Sequence, residues 1–157
     1  MNKEIYKQNI TALRNKYPAW ANIIKNRHKK KNIDVIVEKS VTGDTILKVK
    51  KNGKILYLNG KYAPDEVGKQ WIKKQGKIDA YATIVILGIS NGVHIKQIME
   101  SAPKTCNILI YEPSFELFRR EMEEVDLSFL FAMDIPVGIV IEGLTENELS
   151  AYINIMI

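Results

Sequence analysis

The 157-residue sequence has one cysteine, two histidines and no apolar run of the roughly 18 residues that a membrane span needs. The single thiol, Cys106, excludes an internal disulfide and a CxxC redox pair, so we expect a reduced and packed side chain. The first residues, MNKEIYKQNI, are charged and polar where a signal peptide would be apolar. A soluble cytoplasmic protein that does not enter a membrane is therefore expected.

Several catalytic and binding patterns are also missing. No His, Cys or carboxylate stands at metal-ligand spacing to His94, so the sequence predicts no metal site. No Ser-His-Asp constellation can be defended, and the catalytic residues stay unassigned. The basic run KNRHKKK, residues 25–31, has no interleaved aromatic residue on which bases could stack. It is interpreted as a solvated linker, and no nucleic-acid partner is predicted.

What is present is a core-forming composition with an uneven charge. Apolar residues make up 46% of the chain, enough for a sizeable core. Residues 1–79 hold 19 Lys and Arg against seven Asp and Glu, whereas residues 80–157 hold four against 11. This asymmetry indicates two units with different partners, although the two halves could equally attract each other across an interface.

The first unit, residues 1–76, is predicted to be a small α+β domain. Apolar spacing indicates helix from Lys3 to Asn26, divided at Pro18 because proline fits a first turn but not a helix interior. Alternating segments then indicate strands, and Asn52 with Gly53 predicts a type I′ hairpin turn between two of them. The result is an antiparallel hairpin sheet.

A helix beginning near Pro64 is expected to cover one face of this sheet. Its packing stripe is predicted to consist of Val67, Trp71 and Ile72.

The second unit, residues 77–157, is predicted to be a partial Rossmann-like β-α-β-α-β-α domain. Three apolar runs, ATIVILG, NILIYEP and PVGIVIEG, resemble strands that are buried on both faces of a parallel sheet. A helix with Ile95, Ile98 and Met99 facing inward separates the first two strands, and a helix over residues 115–125 separates the next two. The overall fold class is therefore α/β.

A last helix is predicted over TENELSAYINIMI, where Thr145 and Glu148 have capping-box spacing. Its apolar end predicts burial against a partner, which a homo-oligomer would provide, or a chain that is a fragment of a longer protein.

The turn between the first parallel strand and its helix is the principal site candidate. Gly88 and Gly92 flank Ser90 and Asn91, and a small-residue turn at a helix start can bring backbone N–H groups to a phosphate. The pattern is not the dinucleotide fingerprint, because Ser90 stands at the second glycine position. A tight turn capped by Ser90 or Asn91 is the alternative interpretation.

Two further residues favour a nucleotide site at this turn. Glu112 ends the second strand, where doubly wound folds place an acid that binds ribose hydroxyls. His94 lies in the first helical turn, within reach of a phosphate or base. Either residue could instead be simply solvated or capping. Glu142, at the end of the third strand, is a lesser candidate on the same edge.

Four segments in order carry a family resemblance: MNKEIYKQNITALRNKYP, DTILKVKKNGKILYLNGKYAPDEVGKQWI, IVILGISNGVHIKQIME and ILIYEPSFELFRREMEEVDLSFLF. Together they resemble the N-terminal part of bacterial motility-associated factor proteins. These are flagellin glycosyltransferases, and their central domain is also similar to an archaeal 6-hydroxymethylpterin pyrophosphokinase.

The resemblance implies transfer of a nonulosonic acid from a CMP-linked donor to Ser or Thr of flagellin. It implies nucleotide contacts at Gly88, Asn91, Gly92 and Glu112. Proteins of that family continue for several hundred residues more, so this chain is expected to hold a half-built nucleotide site and to be inactive alone. The CMP-linked sugar is the expected ligand, and no other cofactor is predicted.

Three other hypotheses stay open. One is a non-catalytic module that docks flagellin or a second copy through the basic half. Another is a fragment of a different nucleotide-binding or pterin pyrophosphokinase-like enzyme. S-adenosylmethionine binding is disfavoured, because the strand IVILG lacks the acid that methyltransferases of that kind place before the glycine turn.

Overall fold

The computed structural model describes residues 1–26, 34–132 and 137–145. These residues form two three-stranded sheets with helices, an arrangement of the mixed α/β class that the sequence predicted. The helices are α1 (Lys3–Lys16), α2 (Pro18–Asn26), α3 (Pro64–Gln75), α4 (Val93–Ser101), α5 (Phe115–Glu124) and α6 (Ser128–Phe131). The strands are β1 (Asp34–Lys39), β2 (Thr45–Lys51), β3 (Lys54–Tyr57), β4 (Thr83–Leu87), β5 (Asn107–Glu112) and β6 (Val137–Ile141).

The N-terminal helices confirm the predicted break at Pro18. Asn2 caps α1 by accepting hydrogen bonds from two backbone N–H groups of the first turn. Ile10 and Leu13 are buried, and this face of α1 packs against α2, α5 and α6. The first helix is therefore held by elements of both predicted units.

Strands β1, β2 and β3 form an antiparallel sheet in that order, as predicted. Asn52 and Gly53 connect β2 to β3 with φ angles of 52° and 74°, as a type I′ turn requires. Strand β3 is an edge strand, and all four of its residues are exposed.

The predicted packing of α3 is wrong for two of its three residues. This helix packs against α4, with Pro64 and Gly68 buried, whereas Val67 and Trp71 are about half exposed. The glycine is what permits the close approach, because a Cβ at position 68 would overlap the carboxamide of Gln97 in α4. Ile72, the third residue of the predicted stripe, is partly buried against the core, whereas the two larger exposed fractions belong to Val67 and Trp71.

Strands β4, β5 and β6 form a parallel sheet in that order, which confirms the β-α-β-α-β part of the second unit. Ile86, Ile110 and Ile139 lie side by side across the three strands and are buried. Strand β4 is not buried on both faces as predicted. It lies at the edge of the described sheet, where Val85 and Leu87 are 56% and 77% exposed.

One hydrophobic core joins the two predicted units. Its buried residues include Ile10, Trp20 and Leu47 from the first 76 residues together with Ile95 and Phe118 from the second part. Within the described ranges, no helix is long and apolar enough to cross a membrane. The predicted last helix, and most of the basic linker at residues 25–31, lie outside the described residues.

Candidate functional site

The turn between β4 and α4 has an unusual backbone. Gly88, Ser90 and Gly92 all have positive φ angles, of 82°, 52° and 72°. A serine in this left-handed region is strained relative to glycine, by about 1 kcal/mol. Alternation of left-handed residues in a turn makes neighbouring N–H groups converge, and such a concave arrangement binds anionic groups.

The anionic groups that this turn binds belong to the protein itself. The N–H of Ile89 donates to Glu112 Oε2 at 2.9 Å, and the N–H of Ser90 donates to Glu121 Oε1 at 2.7 Å. Glu112 Oε1 also accepts from the N–H of Ser114, just beyond the end of β5. Two of the backbone donors that were expected to meet a phosphate are therefore already engaged by carboxyl groups.

Both carboxyl side chains are fully buried, and their pKa values reflect this. Burial raises the pKa of Glu112 to about 7, although its hydrogen bonds from Ile89 and Ser114 act in the opposite direction. Burial also raises the pKa of Glu121 well above its usual range, and the negative charge of Glu112 raises it further. Since Glu112 titrates near neutral pH, the pair can hold or release a proton under physiological conditions.

Sequence reasoning missed Glu121. It belongs to α5, three residues after Phe118 and four after Leu117, both of which are buried. A carboxylate at this spacing lies on the apolar face of an amphipathic helix. An ionisable residue on the apolar face of this helix was the sequence signal that could have identified Glu121.

A polar network ties the turn to the antiparallel sheet. Asn59, which follows β3, donates to Asn91 Oδ1 at 2.7 Å and accepts from the Ser90 hydroxyl at 2.6 Å. Asn91 in turn donates to the carbonyl of Thr45 at 3.1 Å. It also accepts from the N–H of Val93, and so assists the start of α4 as predicted, although Gly92 occupies the N-cap position itself.

A cavity of about 600 Å³ lies beside this network, at the carboxyl end of β4 and β5. Its walls come from the turn, the end of β5, helices α3 and α5 and the segment after β3. Five of the six predicted site residues line it, and its lining also includes Glu121, Asn59, Trp71 and Leu87. The predicted residues among them are Gly88, Ser90, Asn91, His94 and Glu112.

Gly92 has a packing role in this structure. It does not line the cavity, and a Cβ there would approach the ring of Phe129 and a methyl group of Leu127 at 3.1–3.2 Å. The glycine is therefore explained by its positive φ and by close packing beneath α4.

His94 and Glu142 complete the set of candidates. His94 Nε2 lies 3.2 Å from the Gly88 carbonyl, which can only accept, so the ring nitrogen donates. Burial lowers the pKa of His94, which favours the neutral ring at pH 7. Glu142 is exposed beyond β6 and accepts a hydrogen bond from the Tyr111 hydroxyl at 2.7 Å, outside the cavity lining.

Cys106 is buried at the start of the second parallel strand and donates a weak hydrogen bond to the carbonyl of Asp79 at 3.4 Å. In the three ranges that the structure describes, no group of three or more His, Cys, Asp and Glu is arranged to hold a metal ion. The lining of the cavity supplies two carboxyl groups, a histidine, amide side chains and an indole.

Comparisons of the chain with models of protein families, with curated proteins and with solved structures found no match.

Proposed function

We propose that this chain supplies the nucleotide-binding part of a flagellin glycosyltransferase of the motility-associated factor type. The cavity would hold the nucleotide of a CMP-linked nonulosonic acid. The observation that carries the proposal is the position of the cavity, at the carboxyl end of adjacent parallel strands and beside a strand-to-helix turn. Open α/β sheets bind their ligands in this position.

The dimensions and lining of the cavity support a small-molecule ligand. A volume of about 600 Å³ lies within the range of ordinary ligand sites. The mostly apolar wall from Leu58, Val67, Trp71 and Leu87 is interrupted by a few polar groups that can fix an orientation. Trp71 is 48% exposed, and an indole in such a position offers a flat surface to a planar ring.

Isothermal titration with CMP and a CMP-linked sugar tests the proposal. Leu87→Arg should block the mouth of the cavity, because Leu87 lines it and is 77% exposed at an edge strand. Val85→Arg is the matched control: it lies two residues earlier on the same strand, is also exposed and does not line the cavity. The wild type and V85R should bind, and L87R should lose at least about tenfold in affinity.

Two results would count against the proposal. One is an absence of heat with every nucleotide tested on folded wild-type protein, including a version extended at its carboxyl end to the length typical of the family. The other is equal binding by L87R and V85R, which would move the ligand to another surface.

A specific surface favours a second candidate function, a non-catalytic module that docks flagellin. The exposed edge strand β3 presents Ile55, Leu56 and Tyr57, and the amino groups of Lys48 and Lys61 lie 5.0 and 5.9 Å from the Tyr57 ring centre. An apolar edge surrounded by cations suits an acidic, partly apolar partner.

Capture of unglycosylated flagellin across salt concentrations distinguishes this candidate from the first. Leu56→Ser should weaken capture, whereas Val41→Ser, in an exposed turn, should not. Capture that responds neither to salt nor to L56S would remove this second candidate.

A further inference from the structure

Glu121 has an oxygen atom that the protein leaves unused. Its Oε1 accepts the N–H of Ser90, whereas Oε2 is buried and has no hydrogen-bond partner within the described residues. The side chain lines the cavity. A buried polar atom without a partner costs about 1–3 kcal/mol, so a ligand that bonds to it would recover stability on binding.

The neighbouring carboxyl group limits what that ligand can be. Glu112 lines the same cavity, and a phosphate placed beside two acidic side chains would meet repulsion whenever either is ionised. The N–H groups of Ile89 and Ser90, which could otherwise compensate, already donate to the two carboxyl groups. This end of the cavity is therefore unsuited to the phosphate of a nucleotide.

The protonation of the pair suits a nitrogen heterocycle. Burial and the charge of Glu112 favour the protonated form of Glu121, and its proton belongs on Oε2 because Oε1 accepts from Ser90. Glu121 then offers an O–H donor, while Glu112, with lone pairs beyond the two N–H bonds that it accepts, offers an acceptor. A ring nitrogen next to an exocyclic amino group matches this donor and acceptor.

We propose that Glu121 and Glu112 bind the aminopyrimidine edge of a nucleobase, with Glu121 Oε2–H donating to the ring nitrogen and Glu112 accepting from the amino group. The inference rests on the proposed nucleotide site and deepens it: the base, and not the phosphate, lies against the β4–α4 turn. Cytosine and adenine carry this edge on their Watson–Crick faces, where uracil and guanine instead present a ring N–H donor and a carbonyl acceptor. Trp71 lines the same cavity and can stack on the ring.

Cytidine and uridine are the matched probes, because they differ only at this edge and carry no phosphate. Titration of the wild type at pH 7 should show cytidine binding at least about tenfold tighter than uridine. Uridine would place its ring N–H against the Glu121 donor and its carbonyl oxygen against the Glu112 acceptor. Adenosine should likewise bind more tightly than guanosine.

Two variants test the roles of the atoms. Glu121→Gln should keep cytidine affinity within about threefold, because its carboxamide can still accept from Ser90 and donate to the ring nitrogen. E121Q should also lack the loss of affinity that ionisation of Glu121 causes in the wild type, since a carboxamide cannot ionise. Glu121→Met should lose the discrimination between cytidine and uridine. The other titratable groups of the cavity, Glu112, His94 and Tyr111, are the same in all three proteins.

The outcomes separate this inference from the proposed function. CMP binding that L87R abolishes, combined with equal cytidine and uridine affinities, would overturn the base assignment and leave the nucleotide site standing. Absence of binding by every nucleotide and nucleoside would overturn both. If Glu121→Met does not fold, an E121Q protein whose cytidine affinity follows the wild-type pH profile would still overturn the role of Glu121.

Discussion

Substitution of Glu121 by glutamine should make the protein more stable, and increasingly so as the pH rises. Glu121 is fully buried in α5, and ionising it inside the protein is opposed by burial and by the charge of Glu112. Glutamine has nearly the same shape and keeps an oxygen for the Ser90 N–H. The change therefore removes an ionisable group while it retains the hydrogen bond between this side chain and the turn.

The direction of the pH dependence follows from the raised pKa values. An unfolded glutamate releases its proton near pH 4.3, whereas the two folded carboxyl groups keep theirs to higher pH, Glu112 to about 7. Between these values the unfolded chain binds fewer protons than the folded one, so raising the pH lowers the free energy of unfolding. For Glu112 alone, the loss between pH 4.5 and 7 is about 3 kcal/mol.

Each such carboxyl group contributes about 1.4 kcal/mol for every pH unit in its window. The stability advantage of E121Q over the wild type should therefore grow by about 1.4 kcal/mol per pH unit above pH 5, until folded Glu121 ionises. Glu112 titrates in both proteins, and so does His94, whose lowered pKa acts in the opposite direction. Both contributions therefore largely cancel when the free energy of unfolding of the wild type is subtracted from that of E121Q.

Urea denaturation at pH 5, 6, 7 and 8, followed by tryptophan fluorescence, measures this difference. Glu116→Gln, in the first turn of the same helix and partly exposed, is the matched control, because it removes a carboxyl group that is not buried. A difference between E121Q and the wild type that stays constant from pH 5 to 8 would refute the assignment of a protonated, buried Glu121.

Three packing predictions concern other parts of the fold and use thermal or urea denaturation. Gly68→Ala should lower the free energy of unfolding by about 2 kcal/mol, because the added Cβ overlaps the Gln97 carboxamide. The double variant with Gln97→Ala should recover part of that loss, and strictly additive losses would contradict the contact. Asn9→Ala should lower the free energy of unfolding by about 3 kcal/mol, because the buried Asn9 side chain forms hydrogen bonds with three backbone groups around α5 and α6. Asn15→Ala, at an exposed position of the same helix, should be nearly neutral. Equal effects of the two substitutions would contradict the role of these hydrogen bonds. Gly92→Ala should cost about 2 kcal/mol through its positive φ and close packing, and a neutral result would contradict both.

Local patterns in the sequence predicted most of the elements, because each of those patterns acts over a few residues. Alternating side chains predicted β1 and β2, the Asn52-Gly53 pair predicted the turn after β2, and Pro18 predicted the division between two helices. The four-residue helix α6 was not predicted, since it is too short to show a helical period.

The partner of each element was harder to predict, because it depends on residues that are distant in the chain. Helix α3 was assigned to the antiparallel sheet on the strength of Val67 and Trp71, whereas its contact surface is formed around Gly68 and Gln97, 29 positions apart. The relevant sequence signal was a glycine within a helix. Such a glycine costs about 1 kcal/mol relative to alanine and indicates a close approach of another element.

The site shows the same division between local and distant information. Glu112 and the glycine-flanked turn could be paired from the sequence because doubly wound folds place a strand-end acid near the first turn. Asn59 could not be predicted as part of the site from the sequence. Its hydrogen bonds to Ser90 and Asn91 join residues that are 31 and 32 positions apart, and no recognised motif covers that separation.

A turn of small residues at the start of a helix predicts that backbone N–H groups will converge, but it does not say which anion they bind. In this protein Ile89 and Ser90 donate to carboxyl groups from β5 and α5. A phosphate could bind those two donors only by displacing an acid from a position where it is already buried and hydrogen-bonded. The distinguishing sequence signals were the acid at the strand end and the second acid within the apolar face of the following helix. Where both occur, we expect such a turn to hold protein carboxyl groups, and the ligand to meet those groups through hydrogen-bond donors and ring nitrogens.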